Sequence, residues 1–395
     1  MKGTIKDRVA IVGVGCTRFG ELWDKSWEDM VVEATVEAYE NAGMSPAEGC
    51  KRIQAAWIGT MFAGITGMML ADTLKLDGIP ITHVENGCPT PMDAFRNACF
   101  AVAAGIYEVA LVVGVEKMKD SGLSGVPNVE MFTNFGTYCG RIFSAPGSFG
   151  LPFARFSQKY GVTREHLAKI AVKNHHNGSL SPKAHFQKEV TVEQVLNAPM
   201  VSWPHGLFDC CGNSDGGAAV VICRADIAKE FTDDYLLVKG VGLAVDSTPH
   251  FYRPGFDYLG WPATQNAAKQ AYEMAGIANP FKEIDLFEVH DCFTTTEMLT
   301  YSDLGLIKKE ETKDYIERGV FELQGEKPVN ASGGLKSFGH PAGASGLRML
   351  YEICKQIQHK IDNPARQVKG NPTMGLATNL GGPPQVCGVT IVGLP

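Results

Sequence analysis

Two distant segments of this chain repeat the same features in the same order, and this repetition constrains the fold more than any other sequence feature. The run Ala-Tyr-Glu-Asn-Ala-Gly-Met at residues 38–44 corresponds to Ala-Tyr-Glu-Met-Ala-Gly-Ile at residues 271–277. An apolar, strand-like run follows each copy, at residues 53–62 and 284–293. A recurring order of this kind predicts an internal duplication, so we expect the active site where the two halves meet.

Each half also contains a Gly-X-Pro turn in front of an apolar helical pattern. The first turn is Gly87-Cys88-Pro89 and the second is Gly339-His340-Pro341. We interpret them as one structural position used twice, once for a nucleophile and once for a base.

The composition is that of a globular protein with room for two cores, because 45% of the 395 residues are hydrophobic and 20% are charged. The formal charge of −7 and the dispersed Lys and Arg residues give no support to nucleic-acid binding. Eleven irregularly spaced cysteines without a Cys-X-X-Cys pair predict reduced core thiols, with neither a disulfide framework nor a structural metal site. With no apolar signal core and no membrane span, we expect a cytoplasmic protein.

Short β-branched runs alternate with helical patterns along the chain, which predicts an α/β fold with a parallel or mixed central sheet. Residues 119–204 break this alternation and are too long for an ordinary loop, so we predict an inserted loop subdomain. The first half then comprises residues 1–118 and 205–232, and the second half comprises residues 233–395. Eight aromatic residues between positions 132 and 160 either shape a substrate pocket or, as we favour, pack the insertion's own core.

Cys88 is the predicted nucleophile. It lies at the turn between a strand and a helix, and the partial positive charge of a helix N-terminus favours a thiolate. Most of the other cysteines are better interpreted as inert core residues.

His340 is the predicted base. It lies in a glycine-rich segment, residues 330–346, where small residues let the backbone approach a ligand and leave room for a thioester or pantetheine arm. Ser337 in the same segment is a candidate substrate contact. A packed, purely structural histidine is the alternative.

His290 and Cys292 end the second apolar run, and strand alternation would direct both side chains to one face. Their position fits the active-site edge of an open α/β sheet. Together with Cys88 and His340 they match nucleophilic acyl chemistry, in which one cysteine carries the acyl group and a second moves a proton at carbon. Backbone N–H groups near Cys88 and in the segment Asn379-Leu380-Gly381-Gly382 are candidate oxyanion donors.

Other reactive residues carry less weight. We expect His175 and His176 to be surface residues on a polar helix, and Cys387 to be a core residue of the last strand. The pair Cys210-Cys211 either lines the cavity or packs.

These motifs resemble the thiolase superfamily along essentially the whole chain. Gly87-Cys88-Pro89 occupies the place of the family's acyl-accepting cysteine, and the segment from Gly339 to Ala344 matches its GHPxGA motif. His290-Asp291-Cys292-Phe293 resembles the HDCF motif of the sterol-carrier-protein type, in which this cysteine is the acid/base. The Cys-x-Gly motif of other thiolases is Asn379-Leu380-Gly381 here, which agrees with Cys292 taking over its role.

The resemblance implies two βαβαβαββ halves in a five-layered αβαβα arrangement with an inserted loop subdomain that contacts CoA. It also implies a homodimer or tetramer, and a small OB-fold, zinc-ribbon protein as a partner. Coenzyme A is expected as a substrate, with no permanently bound cofactor and no metal.

The predicted function is cleavage of a 3-oxoacyl-CoA, or the reverse Claisen condensation, through an acyl-Cys88 intermediate. Cys292 protonates the departing enolate and His290 helps to hold the thioester oxygen. Two alternatives stay open: a decarboxylating Cys-His-His condensing enzyme, and a non-catalytic acyl-CoA- or lipid-binding homologue. A bulky or aryl-substituted acyl group, as in benzoylsuccinyl-CoA, is one option for the substrate.

Overall fold

The fold positions its reactive residues at the ends of strands that belong to two similar halves. The computed structural model describes residues 3–121, 144–247, 253–382 and 384–395. The first half and the segment inserted in it contain, in order, β1 (Val9–Cys16), α1 (Trp27–Asn41), α2 (Pro46–Arg52), β2 (Ala55–Gly59), α3 (Met68–Leu74), β3 (Ile81–Val84), α4 (Thr90–Ala103), β4 (Val109–Lys117), α5 (Ala145–Tyr160), α6 (Arg164–Ser179), α7 (Val192–Asn197), β5 (Met200–Ser202), β6 (His205–Gly206) and β7 (Asp215–Arg224).

The second half follows the same plan. Its elements are, in order, β8 (Leu236–Val245), α8 (Pro262–Ala275), α9 (Pro280–Glu283), β9 (Leu286–Glu288), α10 (Thr294–Asp303), α11 (Thr312–Glu317), α12 (Gly334–Phe338), α13 (Ser345–Ile357), β10 (Met374–Gly381) and β11 (Val386–Gly393). Helix boundaries follow local chemistry: Ser26 and Ser45 cap α1 and α2 through capping boxes, and left-handed Gly276 ends α8.

The strands confirm the duplication. Their order in the sheet is β3-β2-β4-β7-β1-β8-β11-β10-β9, so β2-β4-β7-β1 in the first half corresponds to β9-β10-β11-β8 in the second. The halves join where β1 and β8 pair antiparallel, through Ala10 opposite Leu237 and Ile11 opposite Leu236.

The two halves are not identical, which corrects the expectation of two complete βαβαβαββ units. Among the described residues the second half has no full strand equivalent to β3. A single parallel bridge between Phe287 and Val329 stands in its place. The chain after Val329 leads into the glycine-rich segment that precedes His340. The backbone that forms a paired strand in the first half therefore forms part of the site in the second half.

Five layers are present, as predicted. Helix α1 packs on β1 and β7 on one outer side, and α8 packs on β8 and β11 on the other. Helices α4 and α13 form the middle layer, because each contacts strands of both halves. Ten residues of α4 and twelve of α13 are buried, as expected for helices covered on both sides. Cys88 precedes α4 and His340 precedes α13, so the two turns do occupy equivalent positions.

The predicted strand over residues 284–293 is too long. Strand β9 ends at Glu288, and His290 and Cys292 lie in the connection to α10. Strand alternation is therefore not what brings these two side chains to the site. The corresponding run of the first half, residues 53–62, contains β2 over Ala55–Gly59.

Three phenylalanines of helix α5, in the insertion, pack inward. Phe149, Phe153 and Phe156 of α5 are buried, and the ring of Phe149 lies 5.3 Å from that of Phe293. Phe132, Phe135, Tyr138 and Phe143, which belong to the same predicted cluster, lie outside the described residues. No helix in the described ranges is long and apolar enough to cross a membrane.

Candidate active site

Cys88 lies in a tight turn that directs it toward the middle of the molecule. Gly87 has φ +67°, a left-handed conformation that favours glycine, and Thr90 N–H donates to the Gly87 carbonyl at 2.9 Å. The Cys88 side chain is half-buried. Burial, with a smaller contribution from the Glu116 carboxylate, raises the pKa of the thiol to about 12. Burial thus opposes the thiolate that the helix N-terminus would favour, so Cys88 needs a base in the resting site.

His340 lies in a turn that is completely enclosed. Gly339 has φ +116°, and a Cβ at this position would lie 2.6 Å from Ser214 Oγ. His340 is 4% exposed, and burial together with the Arg348 guanidinium lowers the pKa of its imidazole to about 3. The imidazole is therefore neutral at physiological pH, as a general base has to be.

The two turns bring their side chains together with His290. Within the described residues, the Cys88 sulfur and one ring nitrogen each of His290 and His340 lie within 4.8 Å of one another. The two imidazole rings stand edge to face with centroids 5.2 Å apart. This spacing lets one small reacting group contact all three side chains. The same donors could hold a metal ion, so the expected absence of a metal stays a prediction.

Hydrogen bonds assign the tautomer of His340. Ser345 Oγ donates its only proton to the Pro341 carbonyl at 2.9 Å, so it accepts from His340 Nδ1–H at 2.8 Å. The proton is then on Nδ1, and Nε2 carries the free lone pair. No described residue makes a hydrogen bond to this Nε2. His340 is thus equipped to accept the proton of Cys88.

His290 has the opposite tautomer. Asn379 Nδ2 donates to His290 Nδ1 at 3.0 Å, which leaves the proton on Nε2. This Nε2–H also has no partner among the described residues. Burial and the neighbouring His340 lower the pKa of His290 well below its usual value, so it is a neutral donor. One imidazole of the pair accepts a proton and the other donates a hydrogen bond.

Cys292 lies close to this cluster. Burial raises the pKa of its thiol well above the usual value, and the neighbouring thiols of Cys211 and Cys88 raise it further. Its sulfur lies 3.7 Å from Thr296 Oγ1, and its carbonyl accepts from Cys211 N–H at 2.8 Å. A neutral buried thiol is a suitable proton donor to carbon.

The end of β10 closes the site on the other side of Cys88. A Cβ on Gly381 would lie 2.7 Å from the Cys88 backbone nitrogen, and one on Gly87 would lie 3.5 Å from that of Gly382. The N–H groups of Cys88 and Gly382 thus belong to neighbouring turns. The predicted residues Asn379, Gly381 and Gly382 all lie beside the cluster.

Ser337 is placed differently from the other candidates. Its hydroxyl donates to the Phe186 carbonyl at 2.6 Å, and a Cβ on Gly178 of α6 would lie 2.1 Å from its oxygen. The structure therefore gives Ser337 a packing contact between α12 and α6, and its role as a substrate contact stays a prediction.

The minor candidates also have definite places. His175 is buried at 6% exposure, against our expectation of a surface residue, whereas His176 is exposed as expected. Cys387 is buried in β11. Cys211 lies beside Cys292, because its N–H donates to the Cys292 carbonyl, whereas the Cys210 thiol donates to the Gly206 carbonyl at 3.4 Å.

Glu116 is a site residue that the sequence reasoning missed. This buried carboxylate on β4 accepts five hydrogen bonds, four from residues 60–63 and one from Gly343 N–H at 3.1 Å. It therefore fixes the loop after β2 to the turn that carries His340. The available signal was a lone carboxylate in the apolar run of β4, Val109–Lys117, because a buried charge needs partners.

Comparison with known families agrees with this arrangement. The family model described as the thiolase N-terminal domain matches residues 9–199, and the one described as thiolase C-terminal domain-like matches residues 254–393. The chain belongs to the thiolase family.

Relatives of known name span nearly the whole chain. An acetyl-CoA acetyltransferase of Methanothermobacter thermautotrophicus is 38% identical over 95% of this chain and 96% of its own length. The benzoylsuccinyl-CoA thiolase subunit BbsB of Thauera aromatica is 31% identical over 96% of both chains. Human sterol carrier protein 2 is 31% identical over 95% of this chain and 70% of its own. The predicted class, a CoA-dependent acyltransferase of the thiolase type, is confirmed.

Solved structures show the same fold. The structure titled Ltp2-ChsH2(DUF35) aldolase has a TM-score of 0.85 at 24% identity and covers 99% of both chains. Human mitochondrial 3-ketoacyl-CoA thiolase in complex with CoA has a TM-score of 0.70 at 18% identity and covers 98% of this chain and 99% of its own. The predicted thiolase-like α/β fold is thereby confirmed.

Proposed function

We propose that this protein cleaves a 3-oxoacyl-CoA by thiolysis, or runs the reverse Claisen condensation, with Cys88, His290, Cys292 and His340 as its catalytic residues. The observation that carries the proposal is the complementary pair of imidazoles beside one thiol. His340 Nε2 is a free acceptor and His290 Nε2–H is a free donor among the described residues, and one ring nitrogen of each imidazole lies within 4.8 Å of the Cys88 sulfur.

The first step forms the acyl-enzyme. Cys88 Sγ attacks the 3-keto carbon as its proton passes to His340 Nε2, and the resulting oxyanion accepts from the N–H groups of Cys88 and Gly382. Collapse of this adduct breaks the bond between C2 and C3. The acyl group stays on Cys88, and the two-carbon fragment leaves as a thioester enolate.

The second step quenches the enolate. His290 Nε2–H donates to its thioester oxygen, and the Cys292 thiol gives its proton to C2, which yields acetyl-CoA. A CoA thiol then attacks the acyl-Cys88 carbonyl and returns a proton to the Cys292 thiolate, and His340 returns its own proton to Cys88. Every proton lost in one half-reaction is restored in the other, so the cycle needs no redox cofactor.

The test is trapping of the acyl-enzyme. The protein is mixed with acetyl-CoA without a second substrate, quenched and digested, and each cysteine peptide is weighed. We expect one acetyl group on the Cys88 peptide, and none in Cys88→Ser. Cys223→Ala is the matched control, because Cys223 is a buried cysteine on β7. Thiolysis by Cys88→Ser at the unchanged rate would contradict the proposal.

A decarboxylating condensing enzyme is the second candidate, because Cys88, His290 and His340 alone would supply a Cys-His-His set. Cys292 distinguishes the two reactions, since decarboxylation generates the carbanion without a proton donor at this position. In Cys292→Ala we expect thiolysis to fall while acylation of Cys88 persists. Malonyl-CoA decarboxylation that survives in Cys292→Ala at a rate above thiolysis in the unmodified protein would favour the second candidate.

A series of substrates assigns the acyl group. A relative named benzoylsuccinyl-CoA thiolase subunit supports an aryl-substituted or bulky acyl group, whereas relatives named acetyl-CoA acetyltransferase support a short one. The buried aromatic residues of α5 pack against the core, so they give no support to an aromatic pocket. Thiolysis rates across acetoacetyl, branched, long-chain and aryl 3-oxoacyl-CoA esters decide between these classes.

We also propose a homodimer or tetramer and a small OB-fold, zinc-ribbon partner. Strand β3 is at the end of the described sheet and only partly buried, and the neighbouring Ile65 and Met68 are 88% and 72% exposed. A structural relative titled Ltp2-ChsH2(DUF35) aldolase, which names a DUF35 protein beside Ltp2, supports the partner. Light scattering with and without the co-expressed partner tests the assembly.

All ten cysteines of the described ranges are free, which supports a reducing, cytoplasmic location.

A further inference from the structure

Asp291 lies between His290 and Cys292 and has no role in the reaction as described. It is fully buried, and its carboxylate accepts hydrogen bonds from three donors on two other elements. Leu335 N–H donates at 2.5 Å and Lys336 N–H at 3.2 Å, both from α12, while Asn174 Nδ2 of α6 donates at 2.7 Å. One carboxylate thus joins the connection after β9 to the helix that precedes His340.

The close packing around Asp291 restricts which residues the neighbouring positions can hold. Gly334, the first residue of α12, has φ +64°, and a Cβ there would lie 2.2 Å from Asp291 Oδ2. Gly333 has φ +106°, and a Cβ there would lie 2.7 Å from the Cα of Gly178 in α6. The glycine-rich sequence before His340 is therefore explained in part by the approach of Asp291 and α6.

A second buried carboxylate extends the connection. Glu297 of α10 accepts from Asn174 Nδ2 at 2.7 Å and from Asn330 Nδ2 at 2.9 Å, and it pairs with Lys173 at 2.8 Å. Asn330 Oδ1 in turn accepts from Val289 N–H at 2.8 Å, next to His290. Helix α6 lies between β4 and β7 in the sequence. It is in this way bonded to the segment that carries His290 and Cys292 and, through Glu297, to the glycine-rich segment before His340.

We propose that Asp291 is the positioning residue of this site: its carboxylate fixes the His340 turn relative to His290 and Cys292, and connects all three to α6 through Asn174. This inference rests on the proposed thiolase reaction, because it assigns Asp291 to the alignment of that reaction's groups. Asp291 touches none of the reacting atoms in this scheme and acts only through its neighbours.

The charge state of Asp291 decides whether the three donors are satisfied. As a carboxylate it offers two accepting oxygens; once protonated, its O–H points into a shell of donors and displaces one of them. Burial and the nearby Glu297 carboxylate raise the pKa of Asp291 to about 7, against the lowering effect of Lys336, the Leu335 N–H and Lys173. Tyr301 of α10 and the thiols of Cys211 and Cys292 also face it.

The catalytic groups themselves do not titrate near neutrality. The pKa of Cys88 is about 12 and that of His340 about 3, while the pKa of His290 is well below and that of Cys292 well above its usual value. Since the carboxylate form aligns the site and the protonated form does not, turnover should fall as the pH drops through about 7.

Asp303 provides a matched control. It is also buried, its pKa is also raised to about 7, and it also accepts from the first turn of a helix: Trp261 N–H donates at 2.7 Å and Gln265 Nε2 at 2.7 Å. That helix is α8, which lies in an outer layer. Asp303→Asn therefore removes a comparable buried charge from a position that does not support His340.

The experiment measures kcat and KM for thiolysis from pH 5 to 9 in the unmodified protein, Asp291→Asn and Asp303→Asn. The amide of Asp291→Asn offers one acceptor and turns N–H groups toward donors, so we expect kcat at pH 8 to fall on the order of 100-fold with KM nearly unchanged. The fall in kcat near pH 7 should disappear in Asp291→Asn and persist in Asp303→Asn.

Hydrogen exchange gives a readout that does not depend on turnover. The amides of Leu335 and Lys336 should exchange faster in Asp291→Asn and at the rate of the unmodified protein in Asp303→Asn. A kcat and pH profile in Asp291→Asn equal to those of an active unmodified protein would overturn the proposal. An unmodified protein that never forms acyl-Cys88 would instead overturn the proposed function, while the exchange result would still report on the Asp291 contacts.

Discussion

The turns that carry Cys88 and His340 occupy equivalent positions in the two halves, yet they are built differently. The Cys88 turn is half-buried and leads directly into the regular helix α4. The His340 turn is enclosed by residues from both halves, including Ser214, Glu116 and Ser345. The difference agrees with the proposed roles, because a nucleophile needs access to substrate, whereas a base needs a fixed tautomer and a dry environment.

The largest effect is expected when Cys88 and His340 are exchanged. The double substitution C88H and H340C keeps both side-chain types but places the imidazole where Ser345 does not orient it. We expect thiolysis to fall on the order of 10⁶-fold, as far as in Cys88→Ala. Rates measured with a 3-oxoacyl-CoA check this. Activity clearly above that of Cys88→Ala would mean that the two environments are interchangeable.

Removal of the base should have the next largest effect. His340→Ala leaves Cys88 as a thiol whose pKa is raised to about 12, so acylation should slow by about 10²- to 10⁴-fold. Raising the pH should restore part of the rate, because hydroxide then supplies the thiolate. A single-turnover acylation rate measured from pH 7 to 10 tests this, and a rate that ignores pH would argue against His340 as the base.

His290 should act on the enolate rather than on the proton of Cys88. His290→Ala removes the Nε2–H donor to the thioester oxygen, for an expected loss of about 10²- to 10³-fold in kcat. Asn379→Ala should show a smaller loss in the same step, since it releases the tautomer without removing the ring. Acetylation of Cys88 by acetyl-CoA forms no enolate, so an equal loss in that reaction would contradict this role of His290.

The two glycines that open the turns allow a comparison at the level of stability. Gly87→Ala adds a Cβ with no described atom closer than 3.5 Å, so the cost is the left-handed backbone alone, about 1 kcal/mol. Gly339→Ala combines φ +116° with a Cβ 2.6 Å from Ser214 Oγ, and should cost about 3 kcal/mol or more. Urea unfolding of both variants measures the difference, and equal costs would refute the distinction.

The duplicated order of motifs predicted most of the fold, because apolar strands and their helices are local features. The same reasoning did not predict the end of β9 at Glu288, or that the described part of the second half lacks a full third strand. Both follow from tertiary contacts: the backbone there is held by Asn330 and Asp291, whose partners are far away in sequence.

The site was predictable as a set of residues but not as a set of protonation states. Cys88, His290, Cys292 and His340 each belong to a motif with a recognisable neighbourhood. Burial reverses the expected ionisation of Cys88, and partners 5 and 89 residues away fix the tautomers of His340 and His290. Glu116 escaped notice because its five partners lie in two segments that only the folded chain brings together.

The most direct test of the account is the rate of Cys88 alkylation by iodoacetamide as a function of pH, followed on the Cys88 peptide. A neutral thiol beside a neutral imidazole predicts slow alkylation at pH 7 and a rate that is still rising at pH 9, since the pKa of Cys88 is raised to about 12. Rapid alkylation that reaches its plateau below pH 7 would reveal a resting thiolate, and would contradict the assignment of His340 as the base that Cys88 requires.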